Sequence, residues 1–188
     1  MKQLSKTIIL FTAVVASIIT LFSFSPEKKK VITPASSYII SLVCIHLVEG
    51  TTNEQWTWSV SNPNPGNGSS DGTLQDISHW DLGLCPAAEA ALVSAEYSLD
   101  GGNTWHSVPL TMERDPSIRE CTKDDVLKFD VGTSGTVANY YRITFNQQFA
   151  LNTNATSYIK TGGGLKGCNL YFYSGVGCEV LPPGTRND

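Results

Sequence analysis

The sequence predicts an all-β domain, a disulfide-braced β-sandwich of the immunoglobulin or fibronectin kind. Short stretches alternate apolar and polar residues with a period of two, and no helical period is sustained. Turn-forming Gly, Asn and Asp separate these stretches. Several short strands spaced by such turns are the pattern of a sandwich or barrel.

The strands follow in order. Residues 38–47 (YIISLVCIHL) are apolar on both faces, as a buried strand requires. Gln55–Ser61 alternates, with Trp56, Trp58 and Val60 on one face. Asn62–Gly72 is a loop by composition. Pro86–Ala91 suits one helical turn. Ala91–Leu99 sets Ala91, Val93, Ala95, Tyr97 and Leu99 on one side, and the chain turns at Asp100–Asn103 to return through Thr104–Leu110. Val126–Val131 alternates again. Tyr140–Phe149 reads as one long strand, with Tyr141, Ile143, Phe145 and Phe149 opposed to Tyr140, Arg142, Thr144, Asn146 and Gln148. Thr156–Lys160, a Gly162–Gly164 turn and Cys168–Tyr173 complete the set.

Three parts are expected: an export signal over 1–25, a tether over 26–37 and one sandwich domain over 38–188. Lys2 and Lys6 precede an uncharged run, Thr7–Phe24, which is the layout of a secretory signal. The run is also long enough for a retained anchor, the one route to a membrane. All 17 acidic residues but only 11 of the 13 basic ones lie after Phe24, a formal charge near −6. No Lys/Arg stripe interrupts this balance, so nucleic acid is excluded as a partner. The expected location is secreted or on the cell surface.

Five cysteines are present: Cys44, Cys85, Cys121, Cys168 and Cys178. In an exported chain they are expected to form disulfides. Cys44, in the apolar first strand, is taken as the unpaired one. The other four allow three pairings among which spacing does not choose. No CxxC spacing occurs, so no zinc site of the usual kind is expected and no metal or cofactor is assigned; the Asn and Asp oxygens of Asn62–Asp81 leave a Ca²⁺ site as the alternative.

Ser98-x-Asp100-x-Gly102-x-Thr104-Trp105 resembles the Asp-box of sialidases. Here it reads as a hairpin staple. Asp100 suits backbone N–H groups of its own turn, glycine supplies positive φ, and Trp105 packs on the sheet. Sialidases carry the motif once per propeller blade, away from catalysis, and use clustered arginines. The chain is too short for a propeller, and Arg114, Arg119, Arg142 and Arg186 show no patterned spacing.

Two acidic groups are candidates for hydrolysis: Asp71, Asp76 and Asp81, then Asp115, Glu120, Asp124 and Asp125. Glycoside cleavage needs two facing carboxylates, whereas loop acids are usually solvated. Ser78-His79-Trp80-Asp81 lacks a nucleophile elbow, so His79 is read as a structural histidine bonded to nearby backbone. Tyr140, Arg142, Asn146 and Gln148 on one strand face, joined by Tyr171 and Tyr173, form the candidate binding platform. Aromatic faces and amides of this kind suit sugar rings and their hydroxyls.

Ser78-His79-Trp80 leading to Cys85, Leu127-Lys128-Phe129-Asp130, Lys160-Thr161-Gly162 and Gly177-Cys178 together resemble a loose group of uncharacterised exported microbial β-sandwich proteins, over about residues 52–180. That resemblance implies a Cys85–Cys178 bridge, from which Cys121–Cys168 would follow, and it implies no activity. The expectation is therefore a non-enzymatic binding or cell-surface module, recognising polysaccharide or another cell-envelope component. The alternatives are a small extracellular glycosidase-like hydrolase using the acidic loop residues, and a structural or adhesive surface protein.

Overall fold

The computed structural model describes residues 38–63, 76–161 and 168–186, all within the unit Val31–Asp188. The expected signal, tether and Gly162–Gly164 turn, and most of the Asn62–Gly72 loop, lie outside the described residues. Among the described residues no helix is long and apolar enough to cross a membrane.

Ten strands are described: β1 (Ile39–Leu47), β2 (Glu54–Ser61), β3 (Ile77–Leu82), β4 (Leu92–Ser98), β5 (His106–Ser107), β6 (Met112–Glu113), β7 (Val126–Phe129), β8 (Asn139–Phe145), β9 (Gln148–Thr161) and β10 (Cys168–Leu181). One sheet runs β1-β2-β8-β4-β5 and the other β10-β9-β3-β7-β6, with antiparallel pairing in both. Helix α1 (Pro86–Ala90) has Pro86 in its first turn, where the missing N–H costs no bond.

The two sheets share one core. The first contributes Trp56, Trp58, Tyr141, Ile143 and Phe145, and the second Trp80, Leu82, Phe129, Phe149 and Ile159. All ten are fully buried. This is a two-sheet antiparallel β-sandwich. Trp80 sits at its centre, stacked on Phe129 at 5.8 Å and edge-on to Tyr141 at 5.0 Å, Tyr173 at 5.8 Å and Trp58 at 6.0 Å. Edge-to-face and offset contacts at these separations suit the ring quadrupoles. Gly132 lies against the backbone of Ile77 so closely that a Cβ there would collide with the Ile77 carbonyl.

Several strands differ from the sequence expectation. The first is no buried strand: β1 pairs on one side only and leaves Ile39 and Val43 half exposed. In β4 a register shift between Leu92 and Ser94 turns Val93 outward, so the alternation expected from Ala91 to Leu99 fails at its second member. Tyr140–Phe149 is two strands, because β8 ends at Phe145 and β9 begins at Gln148.

On the outer face of the second sheet lies a smaller cluster. Ile118 packs there with Val126, Tyr158 and Cys168. Ile118 belongs to a single 3-10 turn, Pro116–Ile118, in the loop between β6 and β7. The Cys121–Cys168 disulfide ties that loop to β10. The bridge between Cys85 and Cys178 implied by the resemblance is not formed. Both are thiols, and Cys85 Sγ turns to the Gly177 carbonyl at 3.9 Å. The two remain neighbours, and a hydrogen bond with Cys85, aided by burial, pushes the Cys178 thiol up to about 11. Cys44 is free and exposed.

Two outcomes follow. Replacing Trp80 by alanine is expected to cost about 3–5 kcal/mol in urea unfolding, the range for an aromatic lost from a packed core. The Cys121→Ser/Cys168→Ser double variant is expected to lose about 2–4 kcal/mol, because the bridge spans 47 residues.

Candidate functional site

The strand alternation of β3 builds the site. Trp80 and Leu82 point into the core, so His79 and Asp81 point outward. The outer face would leave them in water, but the β6–β7 loop lies across it. The loop contributes Asp115 and Ser117, and β7 contributes Lys128, placed opposite Asp81 in the strand register. Under this cover His79 is 5 % exposed, Asp81 0 % and Asp115 7 %.

His79 Nε2 faces three oxygens: Asp115 Oδ2 at 2.9 Å, Ser117 Oγ at 3.1 Å and Asp81 Oδ2 at 3.3 Å. Nδ1 lies 3.8 Å from Asp130 Oδ1, which is largely exposed. Nε2 is shared among these three oxygens, so Ser117 is not its sole partner. In a Ser–His–acid triad the serine and the orienting acid sit on opposite ring nitrogens, whereas here Ser117, Asp81 and Asp115 all face Nε2. Lys128 Nζ bridges Asp115 Oδ2 at 3.2 Å and Asp130 Oδ1 at 3.4 Å.

The two inner carboxylates are pushed in opposite directions. Burial raises the Asp81 carboxyl above its usual range, only partly offset by His79. Neither Asp81 oxygen has a hydrogen-bond donor in good geometry. Asp115 is also pushed upward by burial, but hydrogen bonds from Ser117 and Lys128 and the charge of His79 outweigh it and hold the group low. One of those bonds is Ser117 N to Asp115 Oδ1 at 2.7 Å. The three ligand atoms of His79, Asp81 and Asp115 lie within 4.8 Å of one another, a nitrogen-and-oxygen set with the dimensions of a divalent-cation site.

The cluster overturns two sequence expectations. His79 does not bond to nearby backbone; it faces carboxylates. The expectation of a purely non-enzymatic domain is also corrected, because the fold assembles a buried His/Asp/Asp cluster able to coordinate a ligand. The H-x-D spacing was a legible signal for two members. Asp115 was not traceable to them, since only the covering loop brings it near.

The remaining candidate residues lie elsewhere. Tyr140 and Arg142 are half-buried on the outer face of the first sheet. Asn146 is exposed in the turn after β8, and Gln148 is buried at the start of β9. Tyr171 and Tyr173 belong to β10 in the other sheet, and Tyr173 is in the core against Trp58 and Trp80. The six do not form one platform.

At the β4–β5 hairpin, Asp100 Oδ1 accepts from Ser98 Oγ at 2.7 Å, Thr104 N at 2.9 Å and Asn103 N at 3.0 Å. Its Oδ2 accepts from Thr104 Oγ1 at 2.6 Å. The bonds from Thr104, then those from Ser98 and Asn103, hold the carboxyl far below its usual range. Gly102, at φ 94°, donates its N–H to Ser98 Oγ at 2.8 Å. The Arg142 guanidinium lies 3.9 Å over the Trp105 ring and its Nε bonds Glu96 Oε2 at 2.7 Å. These groups are consumed by one another.

Among known proteins, no family model matches the chain, and no curated protein or solved structure is significantly similar to it.

The split between the carboxylates has a thermodynamic signature. Asp81 binds its proton more tightly folded than unfolded, so its ionisation opposes folding as pH rises through the folded value. Asp81→Asn is thus expected to raise Tm at pH 7, and the gain should vanish below the unfolded aspartate value, about 3.9. Calorimetry across that window checks both halves.

Proposed function

We propose that this chain is an exported hydrolase of the glycosidase-like class, with its centre at His79, Asp81 and Asp115. The observation that carries the reading is the opposite displacement of two carboxyls facing one imidazole nitrogen. Two acids driven apart in this way divide into a proton donor and a base. Asp81, whose carboxyl burial shifts toward the protonated form, takes the role of donor to the leaving oxygen. Asp115, ionised, acts on the opposite side, and His79 orients both. One ligand atom from each of the three residues lies within 4.8 Å of the others, so both carboxyls border the same imidazole. Entry of a substrate requires the β6–β7 loop, tied to β10 by Cys121–Cys168, to part from the sheet.

Export is supported by the disulfide, which persists in oxidising compartments, and by the Lys-flanked apolar run. The likeness to exported microbial β-sandwich proteins, and the immunoglobulin-like or fibronectin-like pattern within the sandwich class, are part of the same proposal. They rest on the two antiparallel five-stranded sheets.

A second reading is favoured by the ligand-atom spacing itself: His79 Nε2, Asp81 and Asp115 fit a divalent cation whose bound water would attack. One assay separates the two. The oxidised protein is incubated with chromogenic glycosides and polysaccharides, with and without chelator. Turnover that persists in chelator, and falls about 100-fold or more in Asp81→Asn and Asp115→Asn, supports the acid–base centre. Loss in chelator with recovery on adding zinc or manganese transfers the reading to the metal. Turnover indifferent to both substitutions, or none on any substrate, sinks it.

A further inference from the structure

Away from the His79 cluster, at the end of the sandwich where β8 passes to β9, lies a groove of about 610 Å³. That is within the roughly 300–1,000 Å³ of small-molecule sites. Its lining includes Asn146, Gln147 and Gln148 from the β8–β9 turn and Val180, Leu181 and Pro183 from the end of β10 and the segment after it. None of its ten lining residues is charged, in a chain whose formal net charge is −4.

The groove is held in shape from below. Arg186 Nε pairs with Glu54 Oε1, and Glu54 is fully buried. Glu54 Oε2 accepts from Trp56 Nε1 at 2.6 Å and from Phe149 N at 2.9 Å. Arg186 Nη2 donates to the Phe149 carbonyl at 2.8 Å, and Arg186 N to Gln148 Oε1 at 3.1 Å. The segment after β10 is therefore fastened to the start of β9. A turn at Pro182–Thr185, with Thr185 Oγ1 donating to the Pro182 carbonyl at 2.6 Å and Gly184 at φ 80°, forms the lip. Such a buried ion pair does more to fix geometry than to add stability.

We infer that this groove binds a neutral saccharide chain. The side-chain amides of Asn146 and Gln147 are exposed and make no hydrogen bond among the described residues. Each offers a donor and an acceptor side by side, the pairing that adjacent sugar hydroxyls match. Val180, Leu181 and Pro183 in the same lining offer apolar surface to the C–H face of a pyranose ring. The lack of lining charge disfavours phosphorylated, sulfated or uronate-rich ligands, which would enter unpaired. The sequence reading had put Asn146 and Gln148 on a sugar-binding strand face; the groove joins them around a turn instead.

Affinity electrophoresis tests the inference. The oxidised protein is run in gels holding hydroxyethyl cellulose, dextran, galactomannan or, as the anionic control, alginate. Retardation by at least one neutral polymer is expected, with none by alginate. Asn146→Ala/Gln147→Ala should weaken that retardation about tenfold in apparent Kd, with Tm unchanged. Asp81→Asn should leave it intact, so failure of the hydrolase reading would not be mistaken for failure of this one. No retardation by any neutral polymer, retardation by alginate alone, or equal retardation of the Asn146/Gln147 variant would each overturn it. Capture of unstructured peptide in place of polymer would overturn it too.

Discussion

The burial of Trp80 is the constraint from which most of this structure follows. Its indole meets Trp58, Phe129, Tyr141 and Tyr173, so it is wedged among rings from both sheets. A strand has no freedom to turn one residue inward without turning its neighbours outward. Fixing Trp80 in the core therefore commits His79 and Asp81 to the far side of the sheet. There an imidazole and a carboxylate need either water or a cover. The β6–β7 loop is that cover, and it carries the oxygens that the histidine faces.

The cover is small and has to be fastened. Its apolar anchor is Ile118 against Val126 and Tyr158, too little to hold a loop by burial alone. The disulfide to Cys168 and the Lys128–Asp115 contact supplement it. Asp81 pays the electrostatic penalty of this arrangement, since its oxygens lack donors of good geometry. A carboxyl kept in such a position is costly to stability.

Much of the fold was legible. The alternation in β2, β7 and β8 gave the core faces directly, because Trp56, Trp58, Phe129, Tyr141 and Ile143 are large apolar residues at strict period two. What misled was local. The break between Phe145 and Gln148 leaves the alternation nearly unbroken, so one strand was read where two meet. A bulge at Val93 shifted the phase of β4. The apolar run of β1 concealed its place at a sheet edge, which depends on topology and not on composition. The centre was half legible. His79 and Asp81 share a strand face, but Asp115 joins them only through the loop pinned by Cys121, and no periodicity reports on a loop's path.

The hairpin of β9 and β10 is longer than any other element, with 14 residues in each strand. One end carries Cys168 beside the loop over His79; the other, where Gln148 meets Leu181, borders the neutral groove. Its strands are close in the chain and lose little entropy on meeting, whereas Gln55 must find Thr144 across 89 positions. Local pairing of this kind forms early and distant pairing late. The ribbon is thus the long pairing with the lowest closure cost, and a chain interrupted within it would forfeit both ends at once.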